Sequence, residues 1–296
     1  MRDLRDKVAF ITGGASGIGL GMTEAFLNAG MKVIVADLLE DHLDEMPPLA
    51  EPDRLVKFQL DVSDRTAMAE AAVKARACFG AVHVLCNNAG VGTAIPLDEA
   101  GYEEWDYVLR VNLGGVVNGI VNFVPLIKAH GQGGHVVNTG SIAGMLPAPA
   151  PHGIYATSKY AIRGLTDSLR LALGFHNIGV TLLAPGLTRS RGHEGARYRA
   201  AIERDGKAVP ENPGAAAGAS AGMPAIEVGE QVVEAIRYNR PYVFSHGEFR
   251  DELAAHFEEV LAALPGEQEI DPGRAAFEAE RRALIAAARR AANSVH

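Results

Sequence analysis

Residues 7–21 read KVAFITGGASGIGLG, a short β-rich run followed by a glycine-rich loop and the opening of a helical pattern. Gly13, Gly17 and Gly19 are spaced G-x3-G-x-G, so the backbone can turn tightly and approach a ligand closely. A helix N-terminus after such a loop offers unpaired N–H groups to a phosphate. This order predicts a dinucleotide pyrophosphate site, with contacts expected from Gly13, Ser16, Gly17, Ile18 and Gly19.

The second β-rich run, KVIVAD, ends in Asp37, which lies 18 residues after Gly19. An acid at this place can accept hydrogen bonds from the adenosine ribose hydroxyls, and its charge repels a 2′-phosphate. Leu38 follows, and no Lys or Arg stands beside Asp37 or in the glycine loop to neutralise that phosphate. The sequence therefore favours NAD over NADP, the alternative being an Asp that merely faces solvent at a strand end.

Along the chain, β-rich runs alternate with longer helical patterns. Most of the runs are nearly continuous Val, Ile and Leu, which is typical of strands buried on both faces. The alternation predicts right-handed βαβ units and therefore an α/β fold of Rossmann type, with an open, doubly wound parallel sheet. The runs are KVAFIT (7–12), KVIVAD (32–37), VKFQLD (56–61), VHVLCNN (82–88), HVVNTGS (135–141), VTLLAPG (180–186) and YVFS (242–245).

The alternation stops after the sixth run. Residues 187–227 are polar and then rich in Gly and Ala, and they leave from the carboxyl end of a strand, where open α/β sheets bind ligands. We predict a mobile substrate lid there, with an insertion of no function as the alternative. Residues 247–296 predict a C-terminal helical extension, with helices near 248–264 and 273–293. The whole chain, 1–296, is expected to form a single dinucleotide-binding catalytic domain.

Composition excludes several classes of protein. The chain has 296 residues, 48% of them hydrophobic, and its net charge of −8 argues against a nucleic-acid partner. Cys78 and Cys86 lack the spacing of a metal site or disulfide framework, so neither is expected. The N-terminal residues lack the apolar core of a signal peptide. Residues 111–127 are apolar but contain three Asn, which predicts a buried or subunit-facing helix rather than a membrane span. We expect a cytoplasmic protein with no membrane partner.

Two further β-rich runs end on the side of the sheet where a dinucleotide would lie. The third ends in Asp61-Val62, whose carboxylate can bind the adenine amino group, and the fourth ends in NNAG (87–90), where Asn88 can tie neighbouring strands together. With these motifs the chain resembles the short-chain dehydrogenase/reductase family over about residues 6–190. The motifs that carry the resemblance are TGGASGIG (12–19), Asp61-Val62, NNAG (87–90), Asn112, Ser141, YATSK (155–159) and PGLT (185–188).

The resemblance implies a Rossmann-type fold, a nicotinamide cofactor and a small-molecule alcohol or ketone substrate. It also implies a homodimer or homotetramer formed through long helices, for which residues 111–127 are a candidate. Thr188 is expected to contact the cofactor carboxamide. The further cofactor contacts implied by the family are Asp61, Val62, Asn88, Ala89, Gly90, Tyr155, Lys159, Pro185, Gly186 and Thr188.

Tyr155 and Lys159 lie one helical turn apart, with only small residues between them. A phenol has a pKa of about 10, which is too high for a base near neutrality, and a nearby ammonium and an oxidised nicotinamide favour the phenolate. We therefore expect a lowered pKa and a role for Tyr155 as the proton-transfer base. The resemblance implies that Ser141 holds the substrate oxygen and that Asn112 anchors a water that relays protons from Lys159. The alternative is an ordinary helix face for Tyr155 and Lys159, a turn cap for Ser141, and a partner for buried backbone groups for Asn112.

A narrower resemblance rests on YVFSHGEFRDELAAHFEEVLAALP (242–265) and NFVPLIKAHGQGGHVVNTGSIAG (122–144). Both are similar to bacterial Cα-dehydrogenases that oxidise the benzylic alcohol of lignin-derived β-aryl ethers. This implies NAD-dependent oxidation of a secondary, aryl-ether-type alcohol to a ketone, and a sterol, a polyol or an oxo-ester remains an alternative substrate. A non-catalytic NAD-binding sensor would be expected to lack the Ser, Tyr or Lys. A related epimerase or dehydratase would typically space its loop glycines G-x2-G-x2-G.

Overall fold

The computed structural model describes residues 1–49, 52–191, 195–203, 221–266 and 268–295. Its centre is a seven-stranded sheet in the order β3-β2-β1-β4-β5-β6-β7, in which all neighbouring strands are parallel. The seven predicted runs all form strands, which confirms the doubly wound α/β fold. The strands are β1 Val8–Thr12, β2 Lys32–Asp37, β3 Leu55–Gln59, β4 Val84–Asn87, β5 Gly134–Thr139, β6 Ile178–Ala184 and β7 Tyr242–Phe244.

The helices that the structure describes cover both faces of the sheet. Because the sheet is covered twice, its central strands are buried on both sides, as their continuous apolar sequences predict. A π-helical turn, Arg110–Gly114, joins α4 to α5. The helices are α1 Gly17–Asn28, α2 Glu40–Asp44, α3 Arg65–Phe79, α4 Tyr102–Leu109, α5 Gly115–Ala129, α6 Gly153–Gly174, α7 Gly195–Glu203, α8 Ala225–Arg237, α9 Arg250–Ala262 and α10 Pro272–Asn293.

The strand order reverses direction between β1 and β4. At such a switch point the connections leave on opposite sides and open a crevice at the carboxyl ends of the strands. The glycine loop follows β1, the NNAG motif follows β4, and Asp37 ends β2. The topology therefore brings the predicted cofactor motifs to one edge of the sheet.

At their closest point α1 and α8 meet at two glycines, Gly21 and Gly229, so no side chain separates the two backbones. A Cβ on Gly21 would run into the carbonyl of Ala225, and a Cβ on Gly229 would run into the carbonyl of Gly21. We expect Gly21→Ala to lower the free energy of unfolding by about 1–3 kcal/mol, because the two backbones must separate to admit a methyl group. Urea unfolding curves measure this loss.

Gly164→Ala is the matched control for that prediction. A Cβ at Gly164, inside α6, meets nothing within 4 Å. Alanine is a better helix former than glycine, so this change should raise stability by about 0.5–1 kcal/mol. Similar effects of the two substitutions would contradict the tight contact between α1 and α8.

Residues Tyr102–Ala129 form a continuous helical stretch, which among the described residues is the one long and apolar enough to cross a membrane by length and composition. Half of its most apolar window is buried inside the protein. The Asn118 side chain donates a 2.8 Å hydrogen bond to the carbonyl of Val62, so an Asn in this apolar helix ties it to the sheet. Val117 and Val121 are exposed on its outer face. The stretch is a half-buried core helix, and its role in a subunit contact stays a prediction.

The C-terminal helical extension is present, and α9 and α10 fall within two residues of the predicted bounds. Of the predicted lid, the structure describes residues 187–191, 195–203 and 221–227, and the remainder lies outside the described residues. A parallel bridge between Thr188 and Met223 joins the beginning of this segment to its end.

Candidate active site

A cavity of about 460 Å³ lies at the switch point, along the carboxyl ends of the strands. It extends from Asp37 to Tyr155, so both predicted ends of the cofactor site share one space. Gly19, Asn112, Ser141, Gly186 and Thr188 do not line it. The predicted site residues on its wall are Gly13, Ser16, Gly17, Ile18, Asp37, Leu38, Asp61, Val62, Asn88, Ala89, Gly90, Tyr155, Lys159 and Pro185.

The glycine loop has a backbone that few other residues could adopt. Gly13 has φ +61° and Gly17 has φ +49°, both in the left-handed region. A Cβ on Gly19, which faces away from the cavity wall, would run into the carbonyl of Gly13. Asn88 fixes this loop by donating from Nδ2 to the Thr12 carbonyl at 3.1 Å and to the Gly13 carbonyl at 3.3 Å. The loop thus holds the N-terminus of α1 open towards the cavity.

Asp37 is buried at the far end of the cavity from Tyr155. Its carboxylate accepts hydrogen bonds from the backbone N–H groups of Ala15 at 3.2 Å and Leu39 at 3.4 Å. Burial raises the pKa of Asp37, and these hydrogen bonds and the nearby His42 oppose the rise. His42 lies 3.8 Å from the carboxylate and was not found from the sequence, since a lone His after a strand carries no motif.

Tyr155 and Lys159 project from the first turns of α6, as their spacing predicts. The Lys159 ammonium lies 5.4 Å from the centroid of the Tyr155 ring and donates a 2.9 Å hydrogen bond to the carbonyl of Thr139. Burial lowers the pKa of Lys159 to about 8. The ammonium therefore stays mainly protonated at neutral pH, although it is buried.

The pKa of Tyr155 is dominated by burial in this structure. Burial raises the pKa above its ordinary value, and a hydrogen bond from Ser141 to the phenol opposes the rise only in part. The lowering expected from an ammonium together with an oxidised nicotinamide stays a prediction. Any lowering has to come from a further positive charge in the cavity.

Ser141 and Asn112 lie behind the cavity wall. The Ser141 hydroxyl accepts a 3.1 Å hydrogen bond from the N–H of Ala143, which caps a short turn, and it also bonds the Tyr155 phenol. Ser141 therefore serves both as a turn cap and as a partner of the phenol.

The Asn112 side chain is occupied by protein groups. It accepts from the Val91 N–H at 2.8 Å, donates to the Val91 carbonyl at 2.9 Å, and donates to the Ser158 hydroxyl at 2.9 Å. Ser158 in turn donates to the carbonyl of Tyr155 at 2.6 Å. Asn112 thus braces the active-site helix against the segment after β4, and its water-anchoring role stays a prediction.

The loop after β6 is held by a residue that follows β7. The N–H of Gly186 donates to Nδ1 of His246 at 3.1 Å, which leaves the ring proton on Nε2 to bond the Leu187 carbonyl at 2.9 Å. Thr188 is buried and its hydroxyl donates to the Gly186 carbonyl at 3.3 Å, so its contact with a carboxamide stays a prediction. His246 was missed from the sequence because it lies 60 residues beyond Gly186.

The described part of the predicted lid lies near the Asp37 end of the cavity. Tyr198 of α7 lines the cavity, and its hydroxyl lies 3.4 Å from Nδ1 of His42. Arg197 pairs with Asp41 of α2, and on the opposite side Arg199 pairs with Glu104 of α4 at 3.6 Å. α7 therefore bridges α2 and α4 across this end, and coverage of a substrate by the segment stays a prediction.

The Tyr155 end of the cavity is largely apolar. Its wall beside Tyr155 is formed by small and aliphatic groups together with His152, for which the sequence favoured no role. Such a wall suits a flat apolar group better than a heavily hydroxylated one. The small and aliphatic residues and His152 are Val91, Gly92, Ala143, Ala148, Pro149 and His152, and the buried Thr93 adds one hydroxyl to the cavity wall.

Comparison with known proteins gives matches that cover the whole fold. The family model described as short chain dehydrogenase matches residues 7–199. A C alpha-dehydrogenase from Sphingobium sp. (strain NBRC 103272 / SYK-6) is 33% identical over 286 residues, which cover 94% of this chain and 93% of that protein. This second match extends beyond the family model into the C-terminal extension.

Solved structures give similar results. A short-chain dehydrogenase from Novosphingobium aromaticivorans has a TM-score of 0.83 at 37% identity, covering 99% of this chain and 100% of that one. A short chain dehydrogenase/reductase from Burkholderia phymatum in complex with NAD has a TM-score of 0.81 at 30% identity, covering 92% and 100%. Both chains share the fold described above over nearly their full length.

Proposed function

The chain belongs to the short-chain dehydrogenase family and is an oxidoreductase, and from that premise we propose that it oxidises a secondary alcohol to a ketone with NAD. We propose further that the alcohol is benzylic and of the aryl-ether type. The observation that carries the proposal is a single cavity with Asp37 at one end and Tyr155 beside Lys159 at the other. The similarity to the Sphingobium C alpha-dehydrogenase, together with the apolar wall near Tyr155, supports the aryl-ether class.

The lining of the cavity fits a dinucleotide. At the loop, the left-handed glycines leave room for a pyrophosphate at the N-terminus of α1. At the far end, the Asp37 carboxylate keeps acceptor capacity for ribose hydroxyls, because the backbone bonds from Ala15 and Leu39 use only part of its lone pairs. The NAD bound by the Burkholderia phymatum protein supports the choice of this cofactor.

The proposed oxidation removes a hydride from the carbinol carbon and a proton from its hydroxyl group. NAD, when bound, would supply the group that accepts the hydride from the carbinol carbon. Tyr155 takes the hydroxyl proton, so the carbon–oxygen bond becomes a carbonyl and charge is balanced. Ser141, whose hydroxyl bonds the phenol in the structure, would turn its one O–H to the substrate oxygen as charge develops there. Lys159 holds the positive charge that stabilises the phenolate.

A bound oxidised nicotinamide would add the further positive charge that Tyr155 needs. Burial raises the pKa of this phenol in the structure. Two cations close to the phenol in a partly dry site are expected to lower its pKa. Proton transfer is therefore linked to cofactor binding, so that the base becomes effective when the hydride acceptor is in place.

Asp37 is expected to select NAD. Replacing Asp37 with Ala removes hydrogen bonds from an ionised acceptor, so NAD affinity should fall by roughly 10- to 100-fold. NADP affinity should fall less, or rise, because the charge that repels its 2′-phosphate is gone. Calorimetric titration with both nucleotides measures the two changes, with Asp53→Ala, an exposed acid away from the cavity, as the control. An equal loss for NAD and NADP would contradict the assignment.

A substrate panel tests the proposed function. NADH formation should be followed with β-aryl ether alcohols, sterols, polyols and oxo-ester-derived alcohols at equal concentrations. We expect the highest kcat/KM for an aryl-ether alcohol. Turnover of sterols or polyols without turnover of any aryl alcohol would remove the aryl-ether assignment, and NAD binding without turnover of any alcohol would favour a non-catalytic sensor.

A further inference from the structure

The C-terminal helices α9 and α10 leave most of their surface exposed. Within Arg250–Ala262, all of which the structure describes, no side chain is fully buried, and within Pro272–Asn293 only Ala292 is. Several large apolar side chains of this extension are more than half exposed. They are Val260, Leu261, Leu264, Ile270, Phe277 and Leu284.

The first part of α10 is mostly exposed, whereas its end is packed. The last turn of α10 is fixed, because Ala292 packs directly on Gly174 at the end of α6. Phe277 and Leu284 are each 66% exposed and lie seven residues apart, which places them on one face of the helix. An amphipathic helix gains most of its stability from packing of its apolar face. The face that carries Phe277 and Leu284 is therefore built for a partner.

The two helices have opposite charge. α9 carries one Arg and four acidic residues, a net charge of −3, and α10 carries five Arg and two Glu, a net charge of +3. Each helix therefore offers the other a complementary surface with exposed Val, Leu and Phe side chains. Charge complementarity of this kind selects a partner and sets its orientation.

Within one chain the two helices lie on different parts of α6. α9 packs on the body through Leu253 and Phe257, and the Arg163 guanidinium of α6 lies 5.3 Å from the Phe257 ring centroid. α10 packs at Gly174, 11 residues further along α6, which is about 16 Å of helix. The exposed faces are thus separated along the molecule.

We propose that the partner is a second copy of this chain, with α9 of one copy packed against α10 of the other. A two-fold axis makes each contact twice, since the α10 of the first copy then meets the α9 of the second. Apolar side chains from both helices fill the contact, and acidic residues of α9 face arginines of α10. This surface is separate from the exposed face of α5 at Val117 and Val121, and it does not depend on the substrate or the cofactor.

Sedimentation velocity of the full chain tests the proposal. Combined Phe277→Glu and Leu284→Glu should halve the mass of the assembly, because two charges enter each apolar contact. Val73→Glu is the matched control: Val73 is 72% exposed on α3, and its replacement should leave the mass unchanged. A wild-type monomer, or equal masses for the wild type and the α10 variant, would overturn the proposal.

A charge exchange tests whether the contact crosses between copies. One variant carries Glu258→Lys and Glu259→Lys, and the other carries Arg274→Glu and Arg281→Glu, two arginines on the same face as Phe277. Each alone should show a halved mass, because like charges then meet in both contacts. An equimolar mixture should regain the wild-type mass, because opposite charges face each other again in the mixed pair.

Two outcomes of these experiments would count against the proposal. A mixture that stays at the halved mass would place the charge pairs within one chain and overturn it. Cosedimentation of the wild type with anionic lipid vesicles, lost in the Phe277→Glu and Leu284→Glu variant and without any change in protein mass, would assign the surface to a membrane instead.

Discussion

Tyr155→Phe is expected to abolish alcohol oxidation while NAD binding stays close to that of the wild type. The substitution removes only the phenolic oxygen, so the cavity keeps its shape and its cofactor contacts. Loss of a positioned general base costs about 100- to 10,000-fold in rate, and we expect a loss of kcat in this range.

Tyr160→Phe is the control for this variant. Tyr160 lies on the same helix, is 37% exposed and is not on the cavity wall, so its hydroxyl should be dispensable for turnover. Steady-state kinetics and calorimetric NAD titration of both variants provide the comparison. A Tyr155→Phe enzyme with a rate within a few fold of the wild type would remove Tyr155 from the proton-transfer role.

Lys159→Met is expected to lower both kcat and NAD affinity, whereas Tyr155→Phe should lower only kcat. The change removes the ammonium next to the phenol, whose stabilisation of the phenolate we put at about 3 kcal/mol, or about 100-fold in kcat. The family also places this ammonium on the nicotinamide ribose, so NAD affinity should fall together with the rate. Unchanged NAD affinity in Lys159→Met would contradict that contact.

The same variant should change how stability depends on pH. Burial lowers the pKa of Lys159 from 10.5 to about 8, so between these values the unfolded chain binds the proton more tightly than the folded protein. Wild-type stability should therefore rise as pH increases through this window, by up to roughly 3 kcal/mol. Lys159→Met lacks the buried charge and should be more stable than the wild type near pH 7. Thermal unfolding from about pH 7 to pH 10 should show this advantage shrinking, and a constant difference would contradict the buried charge.

The fold and the cofactor end of the site were predictable because they depend on local sequence. Seven runs of branched apolar residues gave the strands, and the positions of Gly13, Asp37 and Asn88 relative to strand ends placed them at one edge. A parallel sheet brings all its carboxyl ends together, so a motif after one strand necessarily lies near a motif after the next. This part of the prediction needed no tertiary information.

Contacts between distant segments were not predictable. His246 holds the loop at Gly186, and His42 lies beside Asp37, but neither has a sequence signal at a fixed distance from its partner. Asn112 was expected to serve a proton relay, and the sequence carried no sign that its amide also bonds Val91 and Ser158. These side-chain contacts depend on which polar groups are brought together by the packing of distant segments, and a local sequence pattern does not show this.

The pKa of Tyr155 shows the same limit in electrostatic terms. The Tyr-x3-Lys spacing indicated a neighbouring cation and therefore a lowered pKa, but spacing carries no measure of burial. In the folded protein burial is the largest effect on this phenol, and it raises the pKa. Spacing thus identified the pair of groups but not this opposing effect, and the lowered pKa expected beside both the ammonium and an oxidised nicotinamide stays a prediction.

A spectroscopic titration of Tyr155 tests the central claim most directly. The tyrosinate absorbance of the wild type, with the signal of Tyr155→Phe subtracted, should be recorded against pH with and without saturating NAD. We predict that the tyrosinate signal appears at a higher pH than that of an ordinary tyrosine in the free protein and at a clearly lower pH in the NAD complex. A Tyr155 titration that is the same with and without NAD would contradict the proposal that cofactor binding turns this phenol into the base.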